Sequence, residues 1–262
     1  MQSEYVTGAG KRLSSLSLVF PAYNEEENVA RAVAAAHEAL QNYAECYEII
    51  VVNDGSADRT GQILDDLAAS DDHVVPCHHP HNKGYGAAVG SGIKQARYDY
   101  VFFSDSDLQF DLNEIGKLVE HIDAYDIVVG YRAKRADPLH RRLNAKAWGI
   151  LVRMLFGIKV RDIDCAFKLF HKRVFEQINL TALGAMINTE ILALAVRHGF
   201  KTKELPVSHY PRQLGTQTGA NIKVIIKAFA ELFKMYGRLR RGEMEVASGL
   251  GTGSEPVANN KS

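Results

Sequence analysis

Two carboxylates one residue apart, Asp105 and Asp107, directly follow the apolar run Tyr100-Val101-Phe102-Phe103. In an extended segment residues i and i+2 project to the same side, so both side chains can face one ion. Two hard oxygen donors so placed suit Mg²⁺ or Mn²⁺, above all where phosphate oxygens supply the remaining ligands. Asp and Ser also gather in strand-ending turns for backbone reasons alone, so the pair takes its meaning from the other polar segments. Ala22–Glu25 follows the apolar run 17–20, and Asn53–Gly55 follows the run 47–52. Gly84, Gly86, Gly90 and Gly92 do not form a phosphate loop, because Val89 stands three positions after Gly86 and no Gly-Lys-Ser/Thr follows. His78, His79 and His81 have no matching cysteines for a zinc site and read as a solvated loop.

The elements that must position these groups alternate. Ser17–Phe20 reads as a first strand stopped by Pro21, with Asn24 as N-cap and Glu27 as its reciprocal partner opening a helix to about Gln41. Strands follow at Tyr47–Val52, Val74–Cys77 (an edge, given Pro76), Tyr100–Phe103 and Asp126–Gly130. Helices fall between them, about 58–69, 86–96 and 112–122. Such alternation means βαβ units and a mostly parallel α/β sheet flanked by helices. Ligands bind such sheets beyond the carboxyl ends of the strands, so the polar strand-ending segments share one rim. The second half reads as helix Arg141–Phe156, strand Ala166–Phe170, a short helix near Val174–Ile178, helix Thr189–His198 closed by Gly199, strand Lys203–Val207 and helix Asn221–Arg241.

With 31 basic and 31 acidic residues the formal net charge is +0, which gives no global attraction to nucleic acid. A hydrophobic share of 46% supports a large core. The three cysteines, Cys46, Cys77 and Cys165, are widely spaced and fit free thiols in a reducing compartment. No apolar leader opens the sequence and no uninterrupted apolar stretch reaches ~18 residues. The expectation is a cytoplasmic protein, peripheral on the cytosolic face of a membrane. Its organisation reads as an N-terminal arm at 1–14, a catalytic domain at 15–215, a basic amphipathic helix at 216–241 and a tail at 242–262.

The segments Phe20-Pro21-Ala22-Tyr23-Asn24-Glu25, Val51–Thr60, Asn82-Lys83-Gly84 and Asp105-Ser106-Asp107-Leu108-Gln109, in that order, resemble the signature of glycosyltransferase family 2 on a GT-A fold. Asp164-Cys165-Ala166-Phe167-Lys168 and Pro211–Thr216 narrow the resemblance to dolichyl- and polyprenyl-phosphate sugar transferases, over about Leu16 to Arg241. The resemblance implies a nucleotide-sugar donor bound by Pro21, Ala22, Tyr23, Glu25, Asp54, Gly84 and Ser106, with Asp54 accepting from a base N–H. It implies a divalent metal, Mg²⁺ or Mn²⁺, on Asp105 and Asp107, with Gln109 as a further oxygen donor. Arg132 and Arg212 are the candidates for gripping phosphates, since guanidinium pairs with them bidentately; Arg135 and Arg141 come second.

The acceptor stays open at this point. A hydroxyl acceptor needs a general base, for which Asp164 is the candidate. A lipid phosphate is already ionised and needs none. Two helices lean toward lipid. Ile222, Ile225, Phe229, Leu232, Phe233, Tyr236 and Leu239 form an apolar stripe beside Lys223, Lys227, Lys234, Arg238 and Arg241, and Arg141–Phe156 is similar. The leading expectation is an inverting transfer of a hexose from a GDP- or UDP-sugar to a polyprenyl phosphate. The alternatives are a soluble family 2 enzyme with a hydroxyl acceptor, and a non-catalytic nucleotide-sugar-binding subunit.

Overall fold

A computed structural model describes residues 10–133, 139–212, 214 and 222–243, with the side chains of 139–146 and 222–228 left aside. Seven strands form one sheet in the order β3-β2-β1-β4-β6-β5-β7. They are β1 Leu13–Ala22, β2 Ala44–Asn53, β3 Val74–His78, β4 Tyr100–Ser104, β5 Ile127–Arg132, β6 Phe167–His171 and β7 Thr202–Val207. β6 alone runs antiparallel to its neighbours β4 and β5. The helices are α1 Val29–Tyr43, α2 Thr60–Ser70, α3 Tyr85–Gln95, α4 Ile115–Val119, α5 Leu139–Phe156, α6 Arg173–Gln177, α7 Ile187–Arg197 and α8 Ile222–Arg240. A 3-10 turn at Leu112–Glu114 leads into α4, where one longer helix was expected.

The central strands are apolar on both faces. Leu18, Val19, Ile49, Ile50, Val51, Val101, Phe102 and Phe103 are fully buried, as strands covered by helices on both sides require. β3 is an edge strand, so Pro76 costs one donor on a single side. On α1, Val29, Val33, Ala36 and Leu40 face the core at helical spacing.

Two expectations for the first loop fail. Pro21 does not stop β1, which pairs with β2 through Pro21↔Val52 and Ala22↔Asn53. On the other side pairing with β4 ends at Val19↔Phe103, so the missing proline N–H falls where no partner is needed. Asn24 does not cap α1, which begins at Val29. It adopts φ +54°, and its Oδ1 accepts from the Ala57 N–H at 2.9 Å. The Asn24 N–H donates to Ser56 Oγ and the Glu25 N–H to Thr60 Oγ1, each at 2.9 Å. The capping-type side chains thus stitch the loop after β1 to the loop after β2.

Close approach fixes α3 on the sheet. A Cβ on Gly92 would lie 2.3 Å from Val19 Cγ1 and 3.1 Å from Val52 Cγ2, both of buried valines. Alanine gains helix propensity of about 1 kcal/mol, but overpacking a core costs ~1–3 kcal/mol. Gly92→Ala is expected to lower the unfolding free energy by up to about 2 kcal/mol, read as a reduced urea midpoint at unchanged m-value.

Candidate active site

The sheet order reverses between β1 and β4, since β2 and β3 lie beyond β1 on one side and β6, β5 and β7 beyond β4 on the other. In α/β sheets that crevice is where ligands bind. A cavity of about 470 Å³ opens there. Ten of the residues singled out in the sequence line it: Pro21, Ala22, Tyr23, Glu25, Asp54, Gly84, Asp105, Ser106, Asp107 and Arg212. Gln109, Arg132 and Asp164 do not.

Asp105 and Asp107 stand just past β4. The Tyr85 hydroxyl donates to Asp105 Oδ1 at 2.9 Å, and the Gln109 N–H donates to Asp107 Oδ1 at 3.1 Å. Burial, with the Asp107 charge beside it, pushes the Asp105 carboxyl up to about 7. Burial also raises Asp107. Ser106, between them, turns inward and donates to the Pro21 carbonyl at 2.8 Å, tying the end of β4 to the end of β1. The two carboxylates keep further lone pairs, and a cation would relieve their mutual repulsion; this donor set fits a hard divalent ion.

Behind Asp105 lies a feature that sequence reasoning passed over. Lys168 is fully buried in β6, paired in register with Phe103. Its ammonium donates to Asn188 Oδ1 at 2.6 Å and to the Cys165 carbonyl. Asn188 also stands beside the Tyr85 hydroxyl, so Lys168, Asn188, Tyr85 and Asp105 lie one behind another. Burial depresses Lys168, and the nearby acidic groups oppose that shift. The signal was available: a lysine in the middle of the apolar run Ala166–Phe170.

Asp54 ends the second rim segment. Its Oδ1 accepts from the Lys83 N–H and its Oδ2 from the Gly84 N–H, both at 2.9 Å. His79 Nδ1 lies 2.6 Å from Oδ1, and His79 Nε2 lies 2.9 Å from Ser91 Oγ. The solvated reading of this histidine is therefore wrong: His79 is buried, while His81 is exposed. Gly55 lets the two loops meet, with φ +66° and the His81 carbonyl carbon 2.3 Å from where a Cβ would be. Asp54 thus shapes the wall that carries Gly84.

Arg212 reaches the cavity from the far end of the chain. It donates to Glu25 Oε1 at 2.7 Å and Oε2 at 2.8 Å, and its NH1 lies 3.8 Å from Asp107 Oδ2. Arg132 forms a bidentate pair with Asp162, both bonds at 2.7 Å. Gln109 donates its side-chain amide to the Tyr210 carbonyl at 2.9 Å. Asp164 is exposed in the loop before β6. Arg135 and the side chain of Arg141 fall outside the described residues.

The sheet and this cleft define a GT-A glycosyltransferase fold. The chain belongs to glycosyltransferase family 2, whose model, Glycosyl transferase family 2, matches residues 17–179. It is 34% identical over 207 residues to Glycosyltransferase AglD of Haloferax volcanii, covering 75% of this chain and 33% of that protein. It is 31% identical over 220 residues to the undecaprenyl-phosphate 4-deoxy-4-formamido-L-arabinose transferase of Pectobacterium carotovorum, covering 81% and 65%. Polyprenol monophosphomannose synthase of Mycolicibacterium smegmatis is 30% identical over 239 residues, covering 86% and 88%. The chain thus spans about a third of the first of these relatives and just under two thirds of the second. Among solved structures, glucosyl-3-phosphoglycerate synthase from Mycobacterium tuberculosis, in complex with Mn²⁺ and UDP-glucose, superposes with a TM-score of 0.66 at 17% identity, covering 86% of this chain and 79% of that one.

Because Asp105 titrates higher in the folded chain than unfolded, folding favours its protonated form. With no metal present, its penalty is absent below about pH 4, grows as pH rises to about 7 and is complete above that. Asp105→Asn in EDTA is therefore expected to stabilise the protein at pH 8 by about 1–3 kcal/mol, and by less at pH 5. Thermal unfolding at the two pH values checks this.

Proposed function

We propose that the protein is a metal-dependent inverting hexosyltransferase. It takes the sugar from a nucleotide sugar and delivers it to a polyprenyl phosphate at a membrane surface. The observation that carries this reading is the half-buried Asp105–Asp107 pair lining a cleft at the strand-order reversal. The names of relatives that transfer sugars to, or onto, polyprenyl carriers support the acceptor class.

The residues divide the work. Pro21, Ala22, Tyr23 and the wall held by Asp54 take the nucleoside. Asp105 and Asp107 hold Mg²⁺ or Mn²⁺, which supplies positive charge to the departing diphosphate; Gln109 stands beside them. Arg212 offers a guanidinium within reach of the same oxygens. Arg132, locked by Asp162, orients the loop that carries Asp164. An acceptor phosphate oxygen forms the bond to the anomeric carbon as the bond to the nucleoside diphosphate breaks, and no proton needs to be removed. An acceptor hydroxyl would instead call on Asp164, which is exposed and does not line the cavity.

The membrane surface would be met by α5 and α8. The expected apolar stripe of α8 splits: Leu232 and Leu239 are buried, together with Met235 from outside the stripe, while Phe229 and Phe233 are exposed. Trp148 of α5 meets Phe229 edge-on at 5.0 Å, and Ile150 and Met154 of α5 are exposed as well. Lys234 and Arg240 stand exposed on α8, which is the composition of an interfacial helix face. Among the described residues no helix is long and apolar enough to cross a membrane.

Purified protein with Mg²⁺ or Mn²⁺ is to be offered UDP- and GDP-sugars with and without a polyprenyl phosphate, and free nucleoside diphosphate followed. Release is expected to depend on the lipid phosphate, to fall by about 10²-fold or more in Asp107→Ala, and to survive in Asp164→Asn. Release without lipid that Asp164→Asn abolishes would establish the hydroxyl acceptor instead. Phe229→Glu with Phe233→Glu is expected to weaken binding to anionic vesicles by at least about tenfold while leaving the fold intact, as checked by sedimentation and circular dichroism.

A further inference from the structure

On the opposite rim of the sheet, about 20 Å from Asp54 along β2, three side chains outside the cleft converge. His37 comes from α1, and Asp71 and His73 from the turn between α2 and β3. One ligand atom from each lies within 4.8 Å of the other two. His37 Nε2 is 2.6 Å from Asp71 Oδ2, and His73 Nδ1 is 3.0 Å from Asp71 Oδ1. His37 Nε2 is shielded from solvent, yet no acceptor lies along its axis in hydrogen-bond geometry, Asp71 Oδ2 included.

One tyrosine holds both imidazoles. The Tyr47 hydroxyl lies 3.0 Å from His37 Nδ1, and the Tyr47 ring stacks on His73 with centroids 4.5 Å apart and planes at 24°. The two imidazoles stand perpendicular, 5.6 Å apart. When His37 Nδ1–H donates to Tyr47, its Nε2 carries the lone pair and faces the cluster. That is the usual way an outer partner fixes a metal-binding tautomer. Ligand atoms around a cation with bonds of about 2.0–2.2 Å sit roughly 3–3.5 Å apart, so small rotations of these side chains close the set.

We infer that His37, Asp71 and His73 form a second cation site, distinct from the catalytic cleft. It selects a divalent first-row transition ion of the Zn²⁺ class over Mg²⁺ or Mn²⁺. Two imidazoles and one carboxylate prefer such ions, whereas all-oxygen sets prefer the harder ones. The ion would clip α1 to the α2–β3 turn. His73 is half exposed, which leaves an open coordination position for water.

The test is calorimetric titration of the full chain with Zn²⁺ in excess Mg²⁺, which occupies the oxygen-donor site. Wild type is expected to bind one Zn²⁺ with micromolar or tighter affinity and to gain several degrees in unfolding temperature. His73→Ala, at an exposed position, and the conservative His37→Gln are each expected to lose at least about tenfold in affinity and the thermal gain. Their donor turnover should match wild type. Substitution with Co²⁺ should give visible absorption that both variants lose. Equal Zn²⁺ binding by wild type and both variants, or wild-type binding weaker than about 100 µM, would overturn the assignment.

Discussion

The fold has to hold two carboxylates close together, half-buried in a cleft at the end of a strand. Asp105 and Asp107 repel each other, and burial makes that repulsion stronger. The surrounding structure answers with positive charge and donors. Lys168 is buried in the neighbouring strand, Tyr85 donates directly to Asp105, and Arg212 stands near Asp107. A lysine with no solvent exposure is costly unless acidic groups lie close, and here they do. The antiparallel insertion of β6 next to β4 brings that lysine beside Phe103. The one reversed strand of the sheet and the chemistry of the site are therefore parts of one arrangement.

Much of this was readable from the residues alone. Alternating apolar runs and helical stretches gave the parallel sheet, and strand-ending polar segments gave the rim, because both follow from short-range periodicity. The misreadings arose where a side chain bonds across loops. Asn24 has the chemistry of a helix cap, but its partner is Ala57 in another loop. His79 sits among polar neighbours in sequence, yet Asp54 and Ser91 bury it. Pro21 reads as a strand end until the register shows that only one side of the strand is paired there. No local pattern encodes such contacts, which join segments far apart in the chain.

The amphipathic reading of α8 needed a similar refinement. Periodicity placed its apolar residues on one face, but a face broad enough to include Phe229, Leu232, Phe233 and Leu239 can meet two environments. The buried half packs on the domain, and the two phenylalanines, with Ile150 and Met154 of α5, remain outside it. A sequence stripe sets which residues are apolar and leaves open how many a single partner can cover.

The guanidinium of Arg212 grips the carboxylate of Glu25 across 187 positions of the chain. Glu25 in turn accepts from Asn28 Nδ2 at 2.7 Å, at the threshold of α1. Substituting either member of the pair would leave the other charged, shielded and without its bidentate partner, so the two losses would not sum. The threshold of α1 and the segment beyond β7 are thereby tied into one unit that holds or fails together.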